Sequence, residues 1–142
     1  MNGIAAKLVG YWRWTSAHIE FADGAPNVDI YGGAPEGGVV FTPGGRMMVI
    51  ITSAGRLPAE TDTDRAALFR SVAAYTGQFR LEEGGRFVTK VDATWDPAWA
   101  GIQERFFSIE GDTFTVRTAR QTHPSFPGRD LWIVGVAQKF SE

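Results

Sequence analysis

The chain has no cysteine among its 142 residues, so no disulfide, no cysteine-bearing zinc site and no thiol nucleophile can be built from it. Histidine is scarce as well. His18 and His123 are the only two, no carboxylate cluster joins them, and a metal site is not expected. No apolar run reaches membrane-spanning length, and residues 1–7 carry no charged-then-apolar leader pattern, so a cytoplasmic protein is expected. No charge of one sign dominates. The 14 Lys+Arg and 16 Asp+Glu are interspersed, with a formal net charge of −2, which disfavours nucleic acid and membrane surfaces as partners. The nucleophile elbow Gly-x-Ser-x-Gly, the zinc motif His-Glu-x-x-His, the phosphate-binding loop and the dinucleotide fingerprint are all missing. The glycine pairs Gly32-Gly33, Gly37-Gly38 and Gly44-Gly45 do not open a helix after a strand and read as turns, so no cofactor is expected.

What is present suits a single globular domain over residues 1–142, with 44% apolar and 21% charged residues. Residues 8–21 are the longest β-like stretch, rich in aromatic and branched side chains. Strict alternation puts Trp12, Trp14, Ser16 and His18 on one face and Tyr11, Arg13, Thr15, Ala17 and Ile19 on the other. Both faces carry apolar bulk, as in a closed barrel whose early Trp plugs one end.

Further strands are expected at 39–42, 46–53, 78–82, 86–95, 101–109, 113–118 and 131–140, separated by Gly-rich turns. Pro43, Gly44 and Gly45 form a hairpin turn, and the Gly/Pro loop 31–38, led by Tyr31, is placed as a lid over the barrel mouth. Between 61 and 77 the pattern is helical. Thr61 and Asp64 resemble a capping box, Leu68, Phe69, Val72 and Tyr75 follow at helical spacing, and Gly77 stands as the stop. Such a helix would lay its apolar face over an open barrel end. The fold expected is therefore all-β, an eight-stranded antiparallel up-and-down barrel with one short inserted helix.

With these residues in order, the sequence resembles the bacterial lipocalin-like domain family, small barrels of calycin type. The likeness is carried by Leu8 to Arg13 with its Gly10-x-Trp12 step, Asp23-Gly24, Tyr31-Gly32-Gly33, Phe41 to Met47, Tyr75-Thr76-Gly77 with Phe79, Pro97-Ala98-Trp99 with Gly101, Arg105-Phe106-Phe107 and Glu110-Gly111-Asp112. It spans nearly the whole chain. Two departures stand out against the family pattern: Thr89-Lys90 where a His is common, and Trp132 near the start of the last strand rather than at its end. The resemblance implies a barrel and says little about function, because one fold hosts many roles.

Three functions remain open. The first is binding of a small hydrophobic, aromatic or acyl ligand with one polar end. Its lining would come from Trp12, Trp14, His18, Tyr31, Phe41, Met47, Tyr75, Phe79, Phe107 and Trp132, with Gln103 and Arg105 at the polar end. Arg105 has an alternative role, lying across an indole such as Trp12 as a structural cation–π lid. The second is a cofactor-free isomerase, cyclase or hydratase in the same lumen, in which Arg105 stabilises an anion and His18 or Tyr75 moves a proton. The third is an interaction protein with a filled barrel, and a lumen well under ~300 Å³ would favour it. Lys90, Asp92 and Thr94 read as an outer face opposite Thr89, Val91, Ala93 and Trp95, while Trp95 and Trp99 gate or cap a mouth. The oligomeric state expected is a monomer or homodimer.

Overall fold

The aromatic stretch near the N-terminus becomes strand β1 (Gly10–Phe21), and it meets both ends of the sheet. The computed structural model describes residues 3–141. On one flank β1 pairs with β3 (Glu36–Phe41) below and with the two-residue β2 (Val28–Asp29) above. On the other flank it pairs along nearly its full length with β10 (Phe126–Phe140), from Tyr11 opposite Phe140 to Phe21 opposite Leu131. Between these flanks run β4 (Arg46–Thr52), β5 (Val72–Glu82), β6 (Arg86–Thr94), β7 (Gly101–Glu110) and β8 (Thr113–Thr118), each antiparallel to the last. The β1–β10 seam closes them into the eight-stranded antiparallel barrel that the sequence led us to expect. A three-residue β9 (Gln121–His123) pairs with the start of β10, which begins five residues before the expected boundary.

One end of the barrel is solid. Residues rich in helix formers build α1 (Gly3–Leu8), a second short helix that the alternation did not signal. It delivers Leu8 into the interior, where the carbonyl of Leu8 accepts the Trp12 indole N–H at 2.9 Å. Trp12 packs on Phe114 at 5.5 Å between ring centres, and Phe41 meets Phe87 edge-on at 5.3 Å and Phe114 at 5.8 Å. All of these rings are buried, each contributing about 1.5–3 kcal/mol relative to exposure. Lys139 closes the plug from outside, its ammonium 4.5 Å from the centre of the Trp12 ring while it donates to the Val9 carbonyl. Lys139, rather than Arg105, is therefore the cation over Trp12.

Two bulges reset the faces. Between Trp14 and Ser16 the β1–β10 register slips, leaving Thr15 as the extra residue. Trp12 and Trp14 face inward below the slip, and Ala17, Ile19 and Phe21 are buried above it. The expectation of one continuous face holding Trp12, Trp14, Ser16 and His18 fails there. A second slip sets Ala93 opposite Thr76 but Val91 opposite Gly77, so Asp92 is extra. Thr94 then turns inward opposite Tyr75 and Ala93 outward, the reverse of their expected faces, while Asp92 bonds Arg46 at 2.8 and 3.1 Å.

The capping box is formed. The Thr61 hydroxyl accepts the Asp64 N–H at 3.1 Å, and the Asp64 carboxylate accepts that of Thr61 at 3.3 Å. The helix α2 (Asp62–Arg70), however, stops seven residues before Gly77, with the Ser71 N–H returning to the Leu68 carbonyl at 3.1 Å. Val72 and Tyr75 belong to β5, where Ala73 and Tyr75 alternate inward. None of the residues of α2 is buried, so its apolar side covers little; Phe69 reaches Trp95 at 6.3 Å, and the Trp95 indole N–H donates to the Phe69 carbonyl at 3.3 Å.

Gly77 has a different task from ending a helix. At the β6 bulge a Cβ on it would sit 2.1 Å from the Lys90 carbonyl oxygen. Gly77→Ala is expected to lower stability by about 1–3 kcal/mol, because backbone must move to admit one methyl. Denaturant unfolding checks this, and an unchanged midpoint would contradict the close approach.

Candidate functional site

Above the aromatic plug the barrel walls enclose a cavity of about 100 Å³. Its sides are mostly apolar: Trp14 and Ala17 from β1, Val49 and Ile51 from β4, Ala73 and Tyr75 from β5, and Val116 from β8. The indole of Trp14 can lie across the lumen because β10 offers Gly135, the partner of Ala17, where the ring passes. A Cβ there would be 2.7 Å from the ring. The Trp14 N–H is anchored on the Ile50 carbonyl at 3.1 Å.

The mouth is aromatic. Tyr31 and Ile30 from the loop after β2 border the cavity, consistent with the lid position expected for that loop, although residues from Glu36 onward already belong to β3. Burial pushes the Tyr31 phenol above its ordinary range, so it is a neutral hydroxyl at physiological pH. Across from it, the short helical turn Pro97–Trp99 is capped by the Asp96 carboxylate, which accepts the Ala98 N–H at 3.0 Å. That turn holds Trp99 against Tyr75 at 5.9 Å and Trp95 at 5.0 Å.

Arg105 comes from β7, half-buried, with its guanidinium 5.8 Å from the centre of the Trp99 ring. One of its nitrogens donates to the Glu104 carbonyl at 2.9 Å. Beyond Arg105 and Trp99 lies a second space of about 270 Å³, lined also by Ala98, Gln103, Thr118 and Gln121 and more polar than the first. Arg105, Trp99 and Thr118 border both spaces and form the partition between them. The inner cavity alone is below the ~300 Å³ at which drug-sized ligands are usually housed.

Six of the proposed lining residues, Trp14, Tyr31, Phe41, Met47, Tyr75 and Arg105, meet at this cavity. Trp12, Phe79 and Phe107 belong to the plug beneath it. Gln103 lies at the outer space, where its amide donates to the Trp99 carbonyl at 3.0 Å. Trp132 lies on the outer surface, opposite Glu20 in the seam and near Arg120. Thr89, at the departure from the family pattern, is fully buried between Phe79 and Gln103, and its hydroxyl has no hydrogen-bond partner among the described residues. Among wall residues left out of the expected lining, Ala17 follows the Thr15 bulge and Ala73 lies where a helix was expected. Ile51 simply continues the inward alternation of Met47 and Val49 on β4, and Trp99, expected at a mouth, stands on the turn Pro97–Trp99. The apolar set Ala17, Ile19 and Phe21 was the one available sign that the phase of β1 had changed.

His18 is the main displacement. The Thr15 bulge turns it outward, opposite Val134, which in turn faces Arg117 across the next pair. Its imidazole bonds Glu20 at 2.9 Å, and Arg117 reaches the same carboxylate at 3.1 Å. The proton-moving role assigned to His18 in the lumen therefore falls, whereas Tyr75 remains on the wall. The hydrogen bond from His18, and then the Arg117 charge, holds the Glu20 carboxyl below its ordinary 4.5. A depressed carboxyl contributes stability above pH 4.5 that is lost as pH falls through its folded value. Glu20→Gln is accordingly expected to flatten the acid limb of stability against pH, measured by urea unfolding from pH 6 downward; an unchanged acid limb would contradict the pairing.

Among the described residues no group of acidic and histidine side chains could hold a metal ion, and no helix is long and apolar enough to cross a membrane. No curated protein matches the chain. A family model described as a lipocalin-like domain matches residues 9–138, from just before β1 almost to the end of β10. With the closed barrel, the plug and the lumen in place, the chain belongs to the lipocalin-like domain family.

Proposed function

We propose that the barrel binds a small, largely apolar molecule in its lumen. The observation that carries this reading is an apolar-walled cavity of about 100 Å³ between a sealed floor and an aromatic mouth. Lipocalin-like barrels are typical of small hydrophobic ligand binding, and eight strands leave an interior of the size for one such molecule. A dry cavity of ~150 Å³ takes up benzene, so this lumen, at about 100 Å³, sets a single ring or a short branched chain as the upper limit of its ligand class. A cytoplasmic setting and a monomer or homodimer belong to the same proposal.

The small volume also favours a second reading, a filled barrel that acts through its surface. Tyr11, Val40, Met48 and Phe140 lie side by side across β10, β1, β3 and β4, with Met48 more than half exposed. Titration with toluene separates the two. Trp14 and Trp99 border the cavity, so binding is expected to give a saturable change in tryptophan emission. Val116→Phe, which fills the space from β8, should weaken binding at least ~10-fold while far-ultraviolet circular dichroism stays unchanged. Absence of a saturable signal in the parent protein would favour the filled barrel.

A further inference from the structure

We infer that the ligand is a small planar carboxylate, with its ring in the apolar cavity and its carboxylate on Arg105 at the partition to the outer space. This inference rests on the lumen-binding reading above and names the class of molecule.

The first support is an accounting of charge. Arg46, Arg65, Arg80, Arg86, Arg117, Arg120 and Arg129 each face a carboxylate within 2.5–3.1 Å. Arg13, Arg56, Arg70 and Arg105 face none among the described residues, but the first three are exposed, and of the four only Arg105 is half-buried and borders the cavity. Its one hydrogen bond goes to a backbone carbonyl, which leaves other guanidinium N–H groups for an incoming acceptor. A partly desolvated guanidinium without a counter-ion is what a buried carboxylate requires, since the planar fork accepts it in two parallel bonds.

The second support is the division of space. Arg105 stands where an apolar compartment meets a polar one that carries the Gln103 and Gln121 amides. A molecule with an apolar body and one charged end would place each part in matching surroundings. The two compartments share Trp99, Arg105 and Thr118 as borders, and their volumes taken together pass the ~300 Å³ lower bound for small-molecule sites.

The third support fixes the charge and shape of the guest. Arg117, the other cation at the wall, is occupied by Glu20, so one positive charge is free. A monoanion is neutralised by it, whereas a phosphate dianion would remain charged against apolar walls at considerable cost. Trp14, Tyr75, Trp99 and Tyr31 surround the space with ring faces and edges, which favours a flat guest over a bulky aliphatic one.

The test compares benzoate with its neutral counterpart benzamide and with toluene, by tryptophan emission and by one-dimensional NMR of the ligand. Benzoate is expected to bind at least ~10-fold more tightly than benzamide. Arg105→Gln should weaken benzoate by about 10- to 100-fold, the loss expected for a charge-assisted bond, and leave toluene within ~2-fold. Arg105→Lys, which keeps the charge but not the fork, should fall between. Retained toluene binding shows that the variants are folded. Equal affinity for benzoate and benzamide, or benzoate binding indifferent to Arg105→Gln, would overturn the carboxylate assignment while lumen binding stands. Failure of all three molecules to bind the parent protein would remove lumen binding and the carboxylate together.

Discussion

The rest of the structure depends on the seam between β1 and β10. Closing the sheet there pairs every barrel strand on both sides and leaves no long open edge for another chain to join. It also fixes which side chains point inward, because register and face are linked in a period of two. The Thr15 bulge lies in this seam. Its single extra residue lets Trp12 and Trp14 build the lower interior while Ala17, Ile19 and Phe21 build the upper part. Without it, His18 and Glu20 would have to be buried, and their ion pair with Arg117 would lose its access to water.

The interior is graded from solid to hollow along that strand. At the bottom, α1 brings Leu8 beneath Trp12, and Phe41, Phe87 and Phe114 fill the cross-section. Higher up the inward residues become small, with Ala17, Ala73 and Gly135 at neighbouring levels, and space opens where bulk is missing. The polar groups are concentrated at the rim of that space. Tyr75 and Arg105 are both held against Trp99, and Arg105 also by its hydrogen bond to the Glu104 carbonyl, so the walls supply position as well as chemistry.

Much of this was legible in the order of residues, and the failures have a common physical origin. Hairpin turns such as Pro43-Gly44-Gly45, the Thr61 capping box and the aromatic first strand all declare themselves locally, and the barrel follows from their number and spacing. Bulges do not declare themselves. Nothing in Thr15 or Asp92 marks it as the unpaired residue, so strict alternation carried His18 and Ala93 to the wrong faces. The helix boundary failed for a related reason. Val72 and Tyr75 continue the helical spacing of Leu68, whereas in β5 it is Ala73 and Tyr75 that share the inward face, and pairing with β4 and β6 decides for the strand. Arg105 was found at the lumen because its strand, β7, has no slip against either neighbour. Its indole partner, Trp99, was expected at a mouth but not beside Arg105, because it sits on a short turn outside any alternation.

The seam also governs how the barrel is assembled. Its partners, Tyr11 and Phe140, lie at opposite ends of the described chain, so the contact that defines the interior spans nearly the longest loop available. Hairpins from β3 to β8 can form as they emerge from synthesis, but the cylinder cannot shut until its last strand arrives. Assembly is consequently slow relative to a helical protein of this length, and the incomplete sheet holds two unpaired borders until the final step.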